Sequence, residues 1–98
     1  MHVLSFSVDA EGNKTLDNLD TLPLSSLAIA ISLDWGKVNY AAKPYLDAMR
    51  SVDELTDPYG ADDGRTIVIY FLANASSWRG PTAKAVKAEL NRRLRASR

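Results

Sequence analysis

Residues 66–72 constrain the fold most, because they fit either a strand or a helix. The segment Thr66-Ile67-Val68-Ile69-Tyr70-Phe71-Leu72 is rich in β-branched and aromatic residues, which favour a buried strand. A wider window places the apolar side chains on one helical face: Ile67, Val68, Phe71, Leu72, Ala75 and Trp78. Asp62 or Asp63 can cap that helix. We predict a helix over 63–78, because periodicity over a long window outweighs local propensity; a small α/β domain with 66–72 as a strand is the alternative.

A further helix is predicted over 81–96. Gly80 and Pro81 mark the break before it, since glycine commonly follows a helix and proline commonly starts one. An apolar stripe is expected to face the core: Ala83, Val86, Leu90 and Leu94. The polar face is expected to point outward, with Lys84, Asn91, Arg92 and Arg95.

Apolar residues also recur at helical spacing over 35–52, at Trp35, Val38, Ala42, Tyr45, Leu46 and Met49. Asp34 is a candidate cap for this helix. Pro44 interrupts it, so that the helix either kinks there or begins with Pro44 in its first turn. The turn residues Asp57-Pro58-Tyr59-Gly60 are expected to close the element.

The N-terminal third predicts a small β-hairpin or an irregular arm. Leu4, Phe6 and Val8 alternate with serines, as in a half-buried strand, and a turn is expected over 9–14. A helical turn is possible over 16–22, before Pro23. A second strand is predicted over 25–33, where Leu27, Ile29, Ile31 and Leu33 alternate with smaller residues. The predicted fold is therefore mainly α, with three helices over 35–52, 63–78 and 81–96.

Charge divides the chain into two blocks. The 98 residues suit a single small domain, with 1–33 as its arm and 34–98 as its helical core. Residues 1–63 carry eleven acids against four bases, and residues 64–98 carry eight bases against one acid, so net charges of −7 and +7 cancel. The acidic surface of one copy could therefore pair with the basic helix of another, which makes a homo-oligomer possible.

Most catalytic chemistry lacks its residues here. There is no cysteine, and His2 is the single histidine, near a terminus that we expect to fray. No glycine-rich phosphate loop occurs, so we predict neither an enzyme nor a cofactor. The acidic cluster Asp53, Glu54, Asp57, Asp62 and Asp63 does not follow the spacing of a calcium loop, and we predict no metal site. Short apolar runs and the lack of a secretion signal predict a cytoplasmic protein without membrane association.

Several segments of residues 34–94 together resemble small uncharacterised proteins of bacteriophages that infect actinobacteria. These segments are Pro44–Met49, Tyr59-Gly60, Tyr70–Ala75, Trp78-Arg79-Gly80 and Lys87–Leu90. The resemblance covers about two-thirds of the chain and leaves the N-terminal third unmatched. It implies a phage accessory protein that acts in a bacterial host, and it brings no assigned activity or functional residue.

The basic C-terminal helix and its lead-in are the predicted contact surface. The candidate contact residues are Trp78, Arg79, Lys84, Lys87, Arg92 and Arg95. We expect this surface to bind a host or phage protein; the alternative is a nucleic acid, with the cations on phosphates and Trp78 stacked on an unpaired base. Trp35 is expected to lie in the core, whereas Trp78 could be either a core residue or an exposed anchor.

Overall fold

Helices form most of the described chain, and the prediction of a mainly α fold is confirmed. The computed structural model describes residues 5–8, 14–17 and 19–97. Its helices are α1 (Leu24–Asp34), α2 (Lys43–Met49), α3 (Gly64–Ala73) and α4 (Pro81–Ala96), with a 3-10 helix at Leu19–Thr21 before α1.

Two small antiparallel hairpins complete the fold. The N-terminal hairpin pairs β1 (Ser5–Val8) with β2 (Lys14–Asp17), and β2 lies beside α4. The second hairpin pairs β3 (Pro58–Tyr59) with β4 (Asp62–Asp63) and leads into α3. The predicted N-terminal hairpin is therefore present, but its second strand is β2 and not 25–33. His2, Leu4 and most of the turn predicted over 9–14 lie outside the described residues.

The predicted strand over 25–33 is wrong, because this segment is α1. Its alternating pattern is ambiguous, since the intervening alanines are themselves apolar and favour helix. Burial follows the helical period, at Leu24, Leu27, Ala28 and Ile31, whereas Ile29 and Leu33 are exposed. Helix α1 packs against α2 and α4 and belongs to the helical core that was predicted to begin at residue 34.

The helix predicted over 35–52 is shortened to α2 at both ends. Pro44 lies in its first turn, which is the second of the two expected outcomes. A helix through Pro44 would place the proline ring against the Tyr40 carbonyl. Asn39 instead organises the approach, since its carbonyl accepts from the amides of Ala42 and Lys43 at 2.9 and 3.0 Å. Asp34 ends α1 and does not cap α2.

Residues 66–72 are helical, as predicted, and lie within α3. The Asp63 carboxylate caps α3 by accepting from the amide and hydroxyl of Thr66 at 2.9 and 3.0 Å. Helix α3 ends at Ala73, before the predicted boundary at 78, and the chain then turns back over 74–80. Gly80 has a φ of 113° directly before Pro81, so the predicted break is present.

An aromatic cluster joins the helices. The Trp35 and Trp78 rings stack with centroids 6.0 Å apart, and Phe71 contacts each of them edge-on at 6.4 Å. Trp35, Phe71 and Trp78 come from the end of α1, from α3 and from the turn before α4. Their burial confirms Trp35 as a core residue and places Trp78 in the core as well, with 2% of its surface exposed.

Candidate interaction surface

Four exposed cations lie on α4 and its lead-in; we call Arg79, Lys84, Arg92 and Arg95 the α4 basic surface. Lys84 and Arg95 are eleven residues apart on the outer face of the helix, which corresponds to about 16 Å along its axis. Val86 and Leu90 are buried on the opposite face, as the apolar stripe predicted. Within the described residues, Arg79, Lys84 and Arg95 make no ion pair.

Glu89 forms ion pairs with Arg92 and Arg93, which follow it by three and four residues on α4. Only 8% of Glu89 is exposed, and its carboxylate accepts from Arg92 Nε and Nη2 at 2.8 and 2.7 Å and from Arg93 Nε at 2.6 Å. These hydrogen bonds, first that of Arg92, lower the pKa of Glu89 although burial of the carboxylate raises it. Arg93 also donates to the carbonyls of Leu19 and Leu22 at 2.6 Å. Arg93 therefore ties α4 to the 3-10 helix, whereas Arg92 keeps half of its side chain in solvent.

Trp78 and Lys87 are held by the fold. The Trp78 indole Nε1 donates to Asp34 Oδ2 at 2.8 Å, and the Trp78 carbonyl accepts from Lys87 Nζ at 2.6 Å. Lys87 Nζ also lies 5.8 Å from the centroid of the Trp78 ring. Burial lowers the pKa of the Lys87 ammonium, and the charge of Arg79 lowers it further. The structure thus removes Trp78 from the predicted contact surface and gives Lys87 an internal partner.

The acidic and basic blocks face each other across a cleft without forming ion pairs among the described residues. Ion pairs join Lys43 to Asp47, and Glu89 to Arg92 and Arg93, so each pair stays within its own block. The cleft has a volume of about 440 Å³ and separates the 20–22 and 53–56 segments from the last turns of α4. Asp20 lies near enough to contribute to the raised pKa of Arg92, whose main cause is Glu89. The acidic side chains across the cleft therefore reduce the positive charge of the α4 basic surface more near Arg92 than near Arg79 and Lys84.

Three acids of the predicted cluster, Asp53, Asp57 and Asp63, accept hydrogen bonds at separate places in the fold. Asp57 Oδ2 accepts from the amides of Asp53 and Glu54 at 2.9 and 3.1 Å, and Asp53 Oδ1 accepts from the Ser25 hydroxyl at 2.6 Å. Asp63 caps α3, and the Thr66 amide is the main cause of its lowered pKa. In the described part of the chain, no three acidic or histidine side chains form a group suited to a metal ion.

Two structural contacts of the basic block were not predicted from the sequence: the ion pairs of Glu89 and the hydrogen bonds of Arg65. The spacing of Glu89 to Arg92 and Arg93, three and four residues on, is a helical ion-pair signal that could have identified this network. Arg65 Nη1 donates to the Leu94 carbonyl at 2.9 Å and to the Ser97 hydroxyl. No local signal points to that contact, because it joins α3 to the end of α4.

The described helices all fall short of the length and apolar character needed to cross a membrane. No protein-family model, curated protein or solved structure matches the chain.

Proposed function

We propose that this chain is a small non-enzymatic interaction protein whose α4 basic surface binds an acidic face of another protein. Its setting is the one that the resemblance implies: a phage-encoded protein in the cytoplasm of a bacterial host, with a host or phage protein as partner. The single observation that carries the proposal is the exposure of Arg79, Lys84 and Arg95 without ion pairs in the described chain.

The division of labour among the cations supports this proposal. Arg65, Lys87 and Arg93 donate hydrogen bonds to backbone carbonyls inside the molecule. The cations of the α4 basic surface lie instead along the outside of α4 and its lead-in, where an acidic protein surface can contact them together. Charge complementarity of this kind raises association rates and selects partners.

A nucleic acid is the second candidate, since the same cations could contact phosphates. Two observations count against it. Trp78 is buried and offers no ring for base stacking, and Arg92 is already held by Glu89. The three cations left, Arg79, Lys84 and Arg95, would neutralise few phosphates, which implies weak binding with a shallow salt dependence.

Charge-reversal variants test the proposal. The double variant Lys84→Glu with Arg95→Glu changes the α4 basic surface, and Lys37→Glu with Arg50→Glu makes the same change in net charge at exposed sites elsewhere. Tagged forms of the wild type and both variants are used for affinity capture from host cells, with and without phage infection. We expect one protein to be retained by the wild type and the control variant and lost with the α4 variant.

Three outcomes would contradict the proposal. A partner retained equally by all three forms would place the contact elsewhere. Binding to fluorescent DNA at low salt that disappears in the α4 variant alone would favour the nucleic-acid alternative. Self-association that the same variant abolishes, measured by light scattering, would make a second copy the partner.

A further inference from the structure

A second cleft lies between α2, α3 and the β3–β4 hairpin, on elements that are separate from the α4 basic surface. It has a volume of about 280 Å³. Tyr45 comes from α2, Tyr70 from α3, Tyr59 from β3 and Asp62 from β4; we call this site the tyrosine cleft. Tyr59 and Asp62 are direct partners in the antiparallel hairpin, so both side chains leave the hairpin on the same face.

The aromatic side of the tyrosine cleft suits a flat group. The Tyr45 and Tyr70 rings have centroids 5.3 Å apart and are tilted by 32°. Rings this close leave no space for a cation between them, but their edges and outer faces form one aromatic wall. Tyr59 and Tyr70 are each close to half exposed, at 44% and 49%, so a ligand can reach the wall from solvent.

The charged side of the cleft has an unused carboxylate. The Asp62 carboxylate is exposed and makes no hydrogen bond or ion pair with any described residue. The cations nearest to the cleft in sequence are directed elsewhere: Lys43 pairs with Asp47 at 3.7 Å, and Arg65 donates to the Leu94 carbonyl. The site therefore combines aromatic surface with an uncompensated negative charge.

We propose that the tyrosine cleft binds an arginine side chain presented by a partner polypeptide. A guanidinium is planar, so it can stack on the tyrosine wall while its N–H groups donate to both oxygens of Asp62. A lysine ammonium lacks this planar fork and is a compact, strongly hydrated charge, so it fits the wall and the carboxylate less well. The volume also lies just below the range of about 300–1,000 Å³ for sites of drug-sized ligands, which favours a single side chain.

This proposal is independent of the α4 basic surface, because the charges of the two sites are opposite and their residues are different. The test is an amide NMR titration of the full chain with three blocked tripeptides, in which glycines flank arginine, lysine or citrulline. Citrulline has nearly the shape of arginine but no charge. We expect the arginine peptide to shift amides in 45–48, 59–62 and 66–70, and to bind about fivefold or more tightly than the citrulline peptide.

Single substitutions then assign the contact. Asp62→Asn should weaken arginine binding by about tenfold, and Tyr70→Leu should weaken it by a similar factor. Tyr70→Phe, which keeps the ring, and Glu54→Gln, which removes an exposed acid outside the tyrosine cleft, should bind like the wild type. The amide spectrum of each variant reports in the same experiment whether the chain is folded.

Three results would overturn the proposal. The first is equal binding of the arginine and citrulline peptides. The second is a set of shifts confined to 20–22, 53–56 and 92–97, which would place the peptide in the larger mixed-charge cleft. The third is a wild-type dimer that Asp62→Asn dissociates, because the occupant would then be a second copy of this chain.

Discussion

Glu89→Gln is the substitution whose effect follows most directly from the structure. It keeps the size of the side chain but removes the charge that Arg92 and Arg93 share. Glu89 and Arg93 are largely buried, with 8% and 15% of their side chains exposed, whereas the Arg92 side chain is 52% exposed. Glutamine also presents an N–H group toward a guanidinium where the carboxylate presents an acceptor.

The expected loss of stability can be bounded from these contacts. Removing one partner of a buried ion pair costs about 3–5 kcal/mol, because the other charge stays buried without compensation. In the Glu89→Gln variant, Arg93 can still donate hydrogen bonds to the Leu19 and Leu22 carbonyls, and the Arg92 side chain can turn to solvent. These compensations reduce the expected cost to about 2–3 kcal/mol, which is a large part of the stability of so small a domain.

Urea unfolding, followed by the fluorescence of Trp35 and Trp78, measures this loss. Arg92→Gln and Arg93→Gln provide an internal comparison: the exposed Arg92 should contribute little to stability, and the buried Arg93 clearly more. A change below about 0.5 kcal/mol for Glu89→Gln, or equal effects of the two arginine variants, would refute the reasoning.

Two further predictions concern the first residue of α3 and the stability of the fold at acid pH. Gly64→Ala should destabilise the fold by about 1–3 kcal/mol, because an added Cβ would overlap the Glu54 carbonyl oxygen. Gly36→Ala meets open space and should be tolerated, and thermal unfolding of both variants checks this difference. In the folded protein the pKa values of Asp63 and Glu89 lie below their ordinary values of 3.8 and 4.5. The ionised carboxylates therefore stabilise the fold fully above the ordinary pKa values, and this stabilisation is lost as the pH falls through the lower pKa values of the folded protein. A urea midpoint that does not fall from neutral pH into this acid range would contradict that assignment.

Local sequence signals were sufficient where a cap and a period agree. For α3, the helical spacing of Ile67, Val68 and Phe71 coincides with a capping acid at Asp63, and both are present in the structure. In α4, the buried stripe and the Gly80-Pro81 break were likewise predictable. The cap and the period together identify the start and the helical character of α3, so the strand propensity of 66–72 does not decide the outcome, whereas its end at Ala73 was not predicted.

Tertiary packing decided the rest. The apolar residues of α1 satisfy both the strand period and the helical period, and only packing against α2 and α4 selects the helix. Trp78 had two consistent roles in sequence, and its stacking on Trp35 together with the hydrogen bond to Asp34 fixes the core role. The tyrosine cleft had no sequence signal, because α2, β3, β4 and α3 bring its residues together only when the chain is folded.

The contacts of Arg93 have a consequence for folding during synthesis. Leu19 and Leu22 precede their guanidinium partner by 74 and 71 residues, so the 3-10 helix lacks this anchor until α4 has left the ribosome. Bringing such distant segments together costs entropy that grows only slowly with separation, but contacts of this range slow folding. A nascent chain that ends before Arg93 therefore presents α1–α3 in an unfinished state, and the final helix closes the fold.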